Sequence, residues 1–265
     1  MNRSTSFRWI LTVLCACAVV FFMARFFGIG RSSSQEAETA EARKNGRRVL
    51  FIGNSYTYSN DLPSIIEGLA AATGQKRFIH DEVLGGGYSL EDHWNEGQAM
   101  SAIKKGGWEI VVMQHGPSAW DGRPTMYEYA PRFAEEIRRI GARPAFYMVW
   151  PEKSRLDSDL DRCSETYRTA AEMVDGILYP GGEAWREAWK LDPSLPLFSY
   201  DDLHPSKTGS YLVALVMYQQ IYRKSPIGLP HEFKLPGGGR FKIPADQAKL
   251  LQQAAATANK KFARP

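Results

Sequence analysis

Residues 49–57 read VLFIGNSYT. The four apolar residues Val49 to Ile52 form a short continuous run, which is typical of a strand that is buried on both faces of a sheet. Gly53 permits the tight turn that ends such a strand. Ser55 follows this turn, and the apolar residues at helical spacing from Leu62 to Ala72 predict a helix. The order strand, turn, helix predicts the first unit of an α/β domain.

The same kind of unit repeats along the chain. Further strand-like runs are Phe78–Leu84, Trp108–Met113, Ala145–Trp150 and Gly176–Tyr179. Further helical patterns are Tyr127–Ile140, Asp159–Val174, Ser206–Tyr222 and Ala245–Phe262. Strands joined by helices of this length imply right-handed crossovers, so we predict a three-layer α/β/α sandwich with a central parallel sheet. This domain should cover residues 47–265, with a packed C-terminal helical appendage.

The N-terminal part of the chain has a different composition. Arg3 and Arg8 precede a mostly apolar run from Trp9 to Met23, which is typical of a signal peptide or an uncleaved signal anchor over residues 1–31. Residues 32–46 lack large apolar side chains, as expected of a flexible, solvated tether. The sequence therefore predicts export, with the folded domain in the periplasm or outside the cell, or anchored to the membrane by this segment.

Charge and cysteine content exclude nucleic-acid binders and disulfide-stabilised domains. The net charge of +4 contains a local +5 in residues 1–48, from eight basic and three acidic residues, so the remainder carries about −1. The predicted domain therefore lacks the basic surface that binds nucleic acid. Cys15 and Cys17 lie in the N-terminal segment and Cys163 is alone in the predicted domain, so no disulfide can form within that domain.

A carboxylate and an imidazole precede the last long helix of the predicted sheet domain, in the segment DDLHP at residues 201–205. A serine hydroxyl needs a base before it can act as a nucleophile, and an imidazole needs a carboxylate to fix its tautomer. The three-residue spacing of Asp201 and His204 can bring the carboxylate to one ring nitrogen while the other faces outward. Taken alone, Ser55 could cap the helix after it and His204 could be a surface residue. Together with Asp201 they favour a Ser–His–Asp triad.

These segments resemble the SGNH (GDSL-type) hydrolase family over most of Arg47 to Tyr222. Residues 52–57 match the first block of the family, with Asn54 where many members carry Asp, and Asp201-x-x-His204 matches its last block. The resemblance implies a flavodoxin-like SGNH hydrolase fold and acyl-ester chemistry that needs no metal or other cofactor. It also implies an oxyanion hole made by the backbone N–H of Ser55, a glycine N–H and a side-chain amide.

Two further segments supply candidates for that oxyanion hole. The sequence LGGGYS at residues 84–89 follows the second predicted strand, as the glycine block of the family does. A glycine lets its N–H approach a developing oxyanion without interference from a Cβ, and we take Gly86 as the donor while Gly85 and Gly87 stay open. After the third predicted strand the family commonly has an asparagine, whereas this chain has Gln114, whose longer amide can donate the same N–H.

Four side chains near the same strand ends are candidate substrate contacts, with Trp120 as a further aromatic residue on this side. The four are Tyr56, Tyr88, His115 and Trp150. Such residues could stack on a sugar, although aromatic residues also dominate protein cores.

Export and the family resemblance together predict a serine esterase that hydrolyses small acyl esters, with O-acetyl groups on carbohydrate as the expected substrate. An O-acyltransferase, a lipase or a thioesterase would use the same triad, and a non-catalytic carbohydrate-binding or scaffold protein would keep the fold without the chemistry. The expected partners are a small acyl ester or an acylated carbohydrate, and the membrane if the N-terminal segment is retained.

Overall fold

The computed structural model describes residues 46–116 and 121–264. The predicted signal segment at 1–31 and the tether up to residue 45 lie outside these ranges. The fold reported below belongs to the compact unit Asn45–Pro265. Within the described ranges, no helix combines the length and the apolar character needed to cross a membrane.

Five short strands form one sheet in which every neighbouring pair is parallel. They are β1 (Arg47–Gly53), β2 (Phe78–Leu84), β3 (Ile110–Met113), β4 (Arg143–Tyr147) and β5 (Ile177–Tyr179). The strand order is β2-β1-β3-β4-β5, so β1 lies inside the sheet. The chain adds β2 on one side of β1 and then crosses to add β3, β4 and β5 on the other side. This order is that of the flavodoxin-like doubly wound fold, and it confirms the predicted fold class.

Nine α-helices are present in the described part of the chain. They are α1 (Ser55–Tyr58), α2 (Leu62–Ala72), α3 (Leu90–Glu96), α4 (Gln98–Lys104), α5 (Arg123–Arg139), α6 (Leu156–Met173), α7 (Gly181–Leu191), α8 (Lys207–Tyr222) and α9 (Ala245–Phe262). A small antiparallel pair of strands, β6 (Glu232–Lys234) and β7 (Arg240–Lys242), lies between α8 and α9. The long helices flank the central sheet and bury their apolar residues in one continuous core.

Four of these helices, α1, α3, α4 and α7, and the β6–β7 pair were not predicted from the sequence. α3 and α4 have seven residues each, and Gly97, with a φ of 75°, separates them, so neither shows a full amphipathic repeat. α7 begins with Gly181 and Gly182, residues that normally oppose a helix. A Cβ on Gly181 would lie 2.7 Å from the carbonyl oxygen of Met148, so the close approach of α7 to the end of β4 requires glycine.

Two strands stop two or three residues short of a predicted boundary. β3 begins at Ile110 instead of Trp108, whose indole donates a hydrogen bond to the carbonyl of Ala102 at 2.9 Å. β4 ends at Tyr147 instead of Trp150, although the three residues that follow it are fully buried. The apolar pattern therefore marked burial correctly but extended beyond the strand pairing.

The register of the sheet brings three loops to one edge. Gly53 pairs with Leu84 on β2, and Ile52 pairs with Met113 on β3. Because these strands are parallel, the residues that follow them meet at the carboxyl edge of the sheet, where α/β proteins place their reactive groups. The loop that carries Ser55, the glycine segment and Gln114 therefore converge there.

The C-terminal tail packs against the sheet domain. The side-chain amide of Asn259 on α9 donates to the carbonyl of Val216 on α8 at 3.1 Å. Lys261 on α9 pairs with the buried Glu187 of α7 at 3.0 Å. Residues along one face of α9 are fully buried, Leu251 and Ala255 among them. These contacts make the tail part of the same compact unit.

Candidate active site

Ser55 is the first residue of α1 and follows β1 by two residues. The cap of α1 is Asn54, whose side-chain Oδ1 accepts the backbone N–H of Tyr56 at 3.2 Å. Ser55 therefore does not fill the capping role that would explain a serine at this place. Its side chain is half-buried, and its hydroxyl has no hydrogen-bonding partner among the described residues. The fold leaves this hydroxyl available.

Asp201 and His204 form a hydrogen-bonded pair in the turn before α8. Oδ2 of Asp201 lies 2.6 Å from Nδ1 of His204, while Oδ1 accepts the backbone N–H groups of Leu203 at 3.1 Å and of His204 at 2.9 Å. One carboxylate thus fixes both the turn and the imidazole ring. The arrangement directs Nε2 of His204 away from the carboxylate, as a general base requires.

The charge state of this pair follows from its contacts. Partial burial acts to raise the pKa of Asp201, but the hydrogen bonds from the ring and the backbone of His204 outweigh it and hold that pKa below its usual value. Asp201 is therefore ionised at neutral pH. An ionised carboxylate at this position stabilises the imidazolium that forms when His204 takes a proton.

Two contacts hold the His204 turn beside the Ser55 loop. The rings of Tyr56 and His204 lie with their centroids 5.8 Å apart, and the side-chain amide of Asn60 donates to the carbonyl of Pro205 at 2.8 Å. Within the described ranges no hydrogen bond joins the Ser55 hydroxyl to His204. Hydrogen bonds of this kind are commonly long before a substrate binds.

Gln114 joins the end of β3 to the loop before Ser55. Its side chain is 1% exposed, and Oε1 accepts the backbone N–H of Asn54 at 2.8 Å and the hydroxyl of Thr57 at 3.2 Å. A backbone N–H can only donate, so the orientation of the amide is fixed by this contact. Nε2 then donates to the carbonyl of His115 at 3.2 Å. Its second hydrogen has no partner among the described residues.

The three glycines after β2 have different roles. The N–H of Gly85 donates to the carbonyl of Gly53 at 3.1 Å and so continues the sheet, which excludes it as an oxyanion donor. Tyr88 closes a turn by donating to the carbonyl of Gly85, and Gly87, with a φ of 73°, occupies the position of a type II turn that needs a positive φ. Gly86 is exposed, and its N–H has no partner in the described part of the chain.

Three of the four predicted substrate contacts lie in the interior. Tyr56 is 1% exposed and Trp150 is fully buried, and their rings pack edge to face with centroids 5.4 Å apart. Trp150 also stacks on Trp185 at 3.5 Å. Tyr88 is the exception, since it is half-exposed and its hydroxyl donates to Glu96. Buried rings of this kind support the site from below and do not offer a stacking surface. Trp120 lies outside the described residues.

His115 is the third buried candidate, with 2% of its surface exposed. Its Nδ1 accepts the backbone N–H of Leu90 at 3.2 Å, and its ring also hydrogen-bonds to the carbonyl of Gly122. Burial lowers the pKa of His115 to about 4, so the ring is neutral at pH 7. His115 braces two loops of the site instead of reaching toward a substrate.

Sequence reasoning missed three residues around the site. His93 on α3 is 2% exposed, and its Nε2 donates to the carbonyl of Gly53 at 2.8 Å, which holds the turn before Ser55. Burial lowers the pKa of His93, so this contact is made by a neutral ring.

Tyr58 and Tyr200 are large exposed aromatic residues, 47% and 99% exposed. Their only signal in the sequence is nearness to Ser55 and Asp201.

Solved structures share this architecture, although no family model matches the chain and no curated protein matches it either. A protein of Slackia heliotrinireducens that is assigned to the SGNH hydrolases matches with 25% identity and a TM-score of 0.57, over 66% of this chain and 98% of that one. The present protein has the SGNH hydrolase fold. The fold expected from the motifs is thereby confirmed.

Other solved structures match at lower identity. A DUF4886 family protein from Bacteroides uniformis has a TM-score of 0.68 at 18% identity, over 82% of this chain and 95% of that one. An acetyl-xylooligosaccharide esterase from Geobacillus has a TM-score of 0.53 at 16% identity, over 67% of this chain and 94% of that one. Likeness at this level of identity shows the SGNH fold alone, so the chemistry has to be argued from the residues.

Proposed function

We propose that this SGNH-fold protein is a serine esterase in which Ser55 is the nucleophile, His204 the general base and acid, and Asp201 the carboxylate that orients the imidazole. The observation that carries the proposal is the 2.6 Å contact between Asp201 and His204, in a turn held beside a serine whose hydroxyl the fold does not use. The serine has no capping role that would explain it, since Asn54 already caps α1.

The acylation step follows from this arrangement. The oxygen of Ser55 attacks the acyl carbon of the ester while its proton passes to Nε2 of His204. The electron pair of the carbonyl moves to its oxygen, and the N–H groups of Ser55, Gly86 and Gln114 are proposed to stabilise the resulting negative charge. When the intermediate collapses, His204 returns the proton to the leaving alcohol, and the acyl group remains on Ser55.

Deacylation uses the same groups in reverse. A water molecule gives a proton to His204 and attacks the acyl carbon, a second oxyanion forms in the same hole, and Ser55 leaves with the proton from His204. The products are a carboxylic acid and the free enzyme. If a second alcohol replaces this water, the protein acts as an acyltransferase with no change in its residues.

For the substrate, we propose a small acyl ester on a carbohydrate. Two exposed tyrosines support this: Tyr200 precedes Asp201 in the chain, and the hydroxyl of Tyr58 lies 3.4 Å from the position that a Cβ on Gly86 would occupy. Aromatic rings with a free face and a polar tip suit a hydroxylated substrate that has apolar C–H faces. We also propose that the N-terminal segment exports the protein, which would place it where acylated polysaccharides occur.

The proposal is tested by labelling the full chain with a fluorophosphonate probe, which reacts rapidly only with an activated serine. The wild-type protein should be labelled, and Ser55→Ala should not. Ser101→Ala is the matched control, because Ser101 is exposed on α4 and its hydroxyl only donates to the carbonyl of Gly97. Equal labelling of wild type and Ser55→Ala would remove Ser55 as the nucleophile, and no labelling of the wild type would favour a non-catalytic protein.

The substrate class is tested separately by release assays. Acetate release from acetylated oligosaccharides should exceed release from p-nitrophenyl esters of long acyl chains if the site accepts small acyl groups. Faster turnover on the long-chain esters would favour a lipase. Transfer of the acyl group to an added sugar alcohol, at the expense of free acid, would identify an acyltransferase.

A further inference from the structure

A cleft opens at the edge of the sheet opposite to Ser55. It is lined by the first residues of four parallel strands and by the end of α8. The strand residues are Arg47, Ile110, Arg143 and Ile177. Its volume is about 750 Å³, within the range of roughly 300–1,000 Å³ that is usual for small-molecule sites. Since α/β enzymes use the carboxyl edge for catalysis, this cleft is separate from the chemistry proposed for Ser55.

The polar wall of the cleft is positively charged. Arg47, Arg143 and Arg223 line it together with a single carboxylate, Glu109, which gives a net charge of +2. Arg47 pairs with Glu109 at 2.8 Å. Neither Arg143 nor Arg223 has an ion-pair partner in the described part of the chain. Two guanidinium groups are therefore free to bind an oxyanion with paired, charge-assisted hydrogen bonds.

Three residues that line the cleft carry buried polar atoms that have no hydrogen-bonding partner within the described ranges. They are the hydroxyl of Tyr179, Oε1 of Gln220 and Nε of Arg47. Tyr179 is fully buried. The amide orientation of Gln220 is fixed, because its Nε2 donates to the carbonyl of Leu178 at 3.0 Å, so Oε1 is an unused acceptor. Buried polar groups are nearly always hydrogen-bonded, so a donor and an acceptor without partners, on residues that line the same cleft, favour a polar ligand there.

We propose that this cleft binds a phosphate monoester of a small hydroxylated molecule. The phosphate would lie against Arg143 and Arg223, and hydroxyl groups of the ligand would meet Tyr179 and Gln220. A phosphate monoester dianion matches the net charge of +2 on the wall, whereas a monocarboxylate leaves one positive charge unmatched. An apolar portion of the wall, from Ile110, Ile177 and Ile221, suits the carbon skeleton of such a ligand.

The test uses the full-length protein with glycerol 3-phosphate as the probe, measured by calorimetric titration and by thermal melting. The wild type should bind and melt at a higher temperature, and Arg143→Gln should weaken binding by about tenfold or more, as expected for a lost charge-assisted hydrogen bond. Arg132→Gln on α5 removes the same charge from an exposed arginine outside the cleft and should keep wild-type affinity. Sulfate and glycerol at equal concentration should bind far more weakly than glycerol 3-phosphate.

Tyr179→Phe separates a binding role from a structural one. The hydroxyl of Tyr179 has no partner in the described part of the protein, so its removal should leave the melting temperature of the unliganded protein equal or higher. The affinity for glycerol 3-phosphate should fall several-fold. Vesicles of phosphatidylcholine with and without phosphatidic acid identify where the phosphate group comes from. If the protein binds only the vesicles with phosphatidic acid, and Arg143→Gln loses this binding, the phosphate belongs to a lipid headgroup. Wild-type protein that binds neither probe, equal binding by Arg143→Gln, or sulfate binding as tightly as glycerol 3-phosphate would overturn the proposal.

Discussion

The backbone N–H of Asn54 donates to Oε1 of Gln114 across 2.8 Å, so the residue before the proposed nucleophile is held by the amide proposed for the oxyanion hole. The hydroxyl of Thr57 donates to the same oxygen at 3.2 Å. Gln114 thus positions the Ser55 loop through its oxygen and presents its nitrogen separately. The two roles can be separated by mutation, because they use different atoms of one side chain.

Gln114→Ala removes both the brace and the proposed donor. We expect the single-turnover acylation rate to fall by about 100- to 1,000-fold, the usual effect of losing one oxyanion donor, with a smaller change in substrate binding. Thr57→Val is the matched control, because it removes one hydrogen bond to Oε1 and keeps the amide N–H. This variant should lose stability and retain most of its acylation rate. Rates that fall equally in both variants, at matched thermal stability, would assign Gln114 a bracing role only.

Gln114→Glu should acylate more slowly than Gln114→Ala. The carboxylate can still accept from Asn54, but its second oxygen would face the carbonyl of His115, which lies 3.2 Å from Nε2 in the native side chain. A negative charge there also repels the developing oxyanion. Acylation rates compared at pH 7.5 decide this, and a Glu variant as active as the wild type would exclude Gln114 from the oxyanion hole.

Ser55→Ala and His204→Ala should each reduce turnover to a small residual rate, and the double variant should be no slower than either. Triad members act as one unit, so their effects do not add. Residual rates of the three purified variants on an activated ester give the comparison, with thermal melting as the check on folding. A double variant far slower than both single variants would show that the two residues act independently.

The residues proposed for chemistry were predictable because short motifs carry them. Ser55 follows a buried apolar strand, and Asp201 and His204 are three residues apart, so their placement depends on local geometry and on the parallel sheet. The burial of Trp150 depends instead on its stacking against Trp185, with ring centroids 3.5 Å apart, and the two residues lie on segments far apart in the sequence. A strand-end aromatic residue can face the site or the core, and only the packing decides.

The same reasoning explains what the sequence missed. Tyr200 is 99% exposed beside Asp201, but an aromatic residue in a turn gives no sequence signal of exposure. The cleft at the amino edge combines Arg47, Arg143 and Arg223, which are spread over most of the domain and become neighbours only when the strands pair. His93 was hidden within α3, a helix too short to show a periodic pattern.

Tyr200→Ala should raise KM for acetylated oligosaccharides and leave kcat nearly unchanged. Its ring is almost completely exposed, so its loss should not alter folding, and p-nitrophenyl acetate should be hydrolysed at the wild-type rate. Met173→Ala on α6 is a suitable control, since Met173 is a large apolar residue that is 51% exposed. Equal KM values for Tyr200→Ala and the wild type on the oligosaccharide would remove Tyr200 from the substrate surface.

Buried His115 should make the protein less stable as the pH falls from 6.5 to 4. Its pKa in the folded state is lowered from 6.5 to about 4, so the unfolded chain takes up the proton first. The stabilisation is complete above pH 6.5, is lost as the pH falls toward 4, and does not change further below that. A shift of this size corresponds to a loss on the order of 3 kcal/mol.

His115→Asn tests this, because asparagine keeps an acceptor for the N–H of Leu90 and cannot titrate. The variant should be less stable than the wild type at pH 7.5, since it loses the contact with Gly122, but its free energy of unfolding should fall less steeply between pH 6.5 and 4. His93, whose pKa is also lowered by burial, is present in both proteins and cancels in the comparison. Urea unfolding across this pH range gives the two slopes, and parallel slopes would contradict a neutral, buried His115.

Gly86→Pro should remove one oxyanion donor without disturbing the backbone around it. Gly86 is the second residue of the turn from Gly85 to Tyr88, and it is not among the glycines with positive φ, whereas Gly87 is. Proline is favoured at the second position of a type II turn, and a Cβ at Gly86 would approach only the hydroxyl of Tyr58, at 3.4 Å. The substitution therefore deletes the N–H and keeps the turn.

We expect Gly86→Pro to fold like the wild type and to acylate about 100- to 1,000-fold more slowly, as for the loss of a single oxyanion donor. Gly86→Ala is the matched control, because it adds the same first carbon and retains the N–H, so it should acylate clearly faster than Gly86→Pro. Single-turnover acylation with a chromogenic ester, together with melting temperatures, separates the two variants. If Gly86→Pro acylates as fast as Gly86→Ala, the glycine donor is not Gly86, and the N–H of Gly87 becomes the remaining candidate in this turn, since that of Gly85 is already bonded to Gly53.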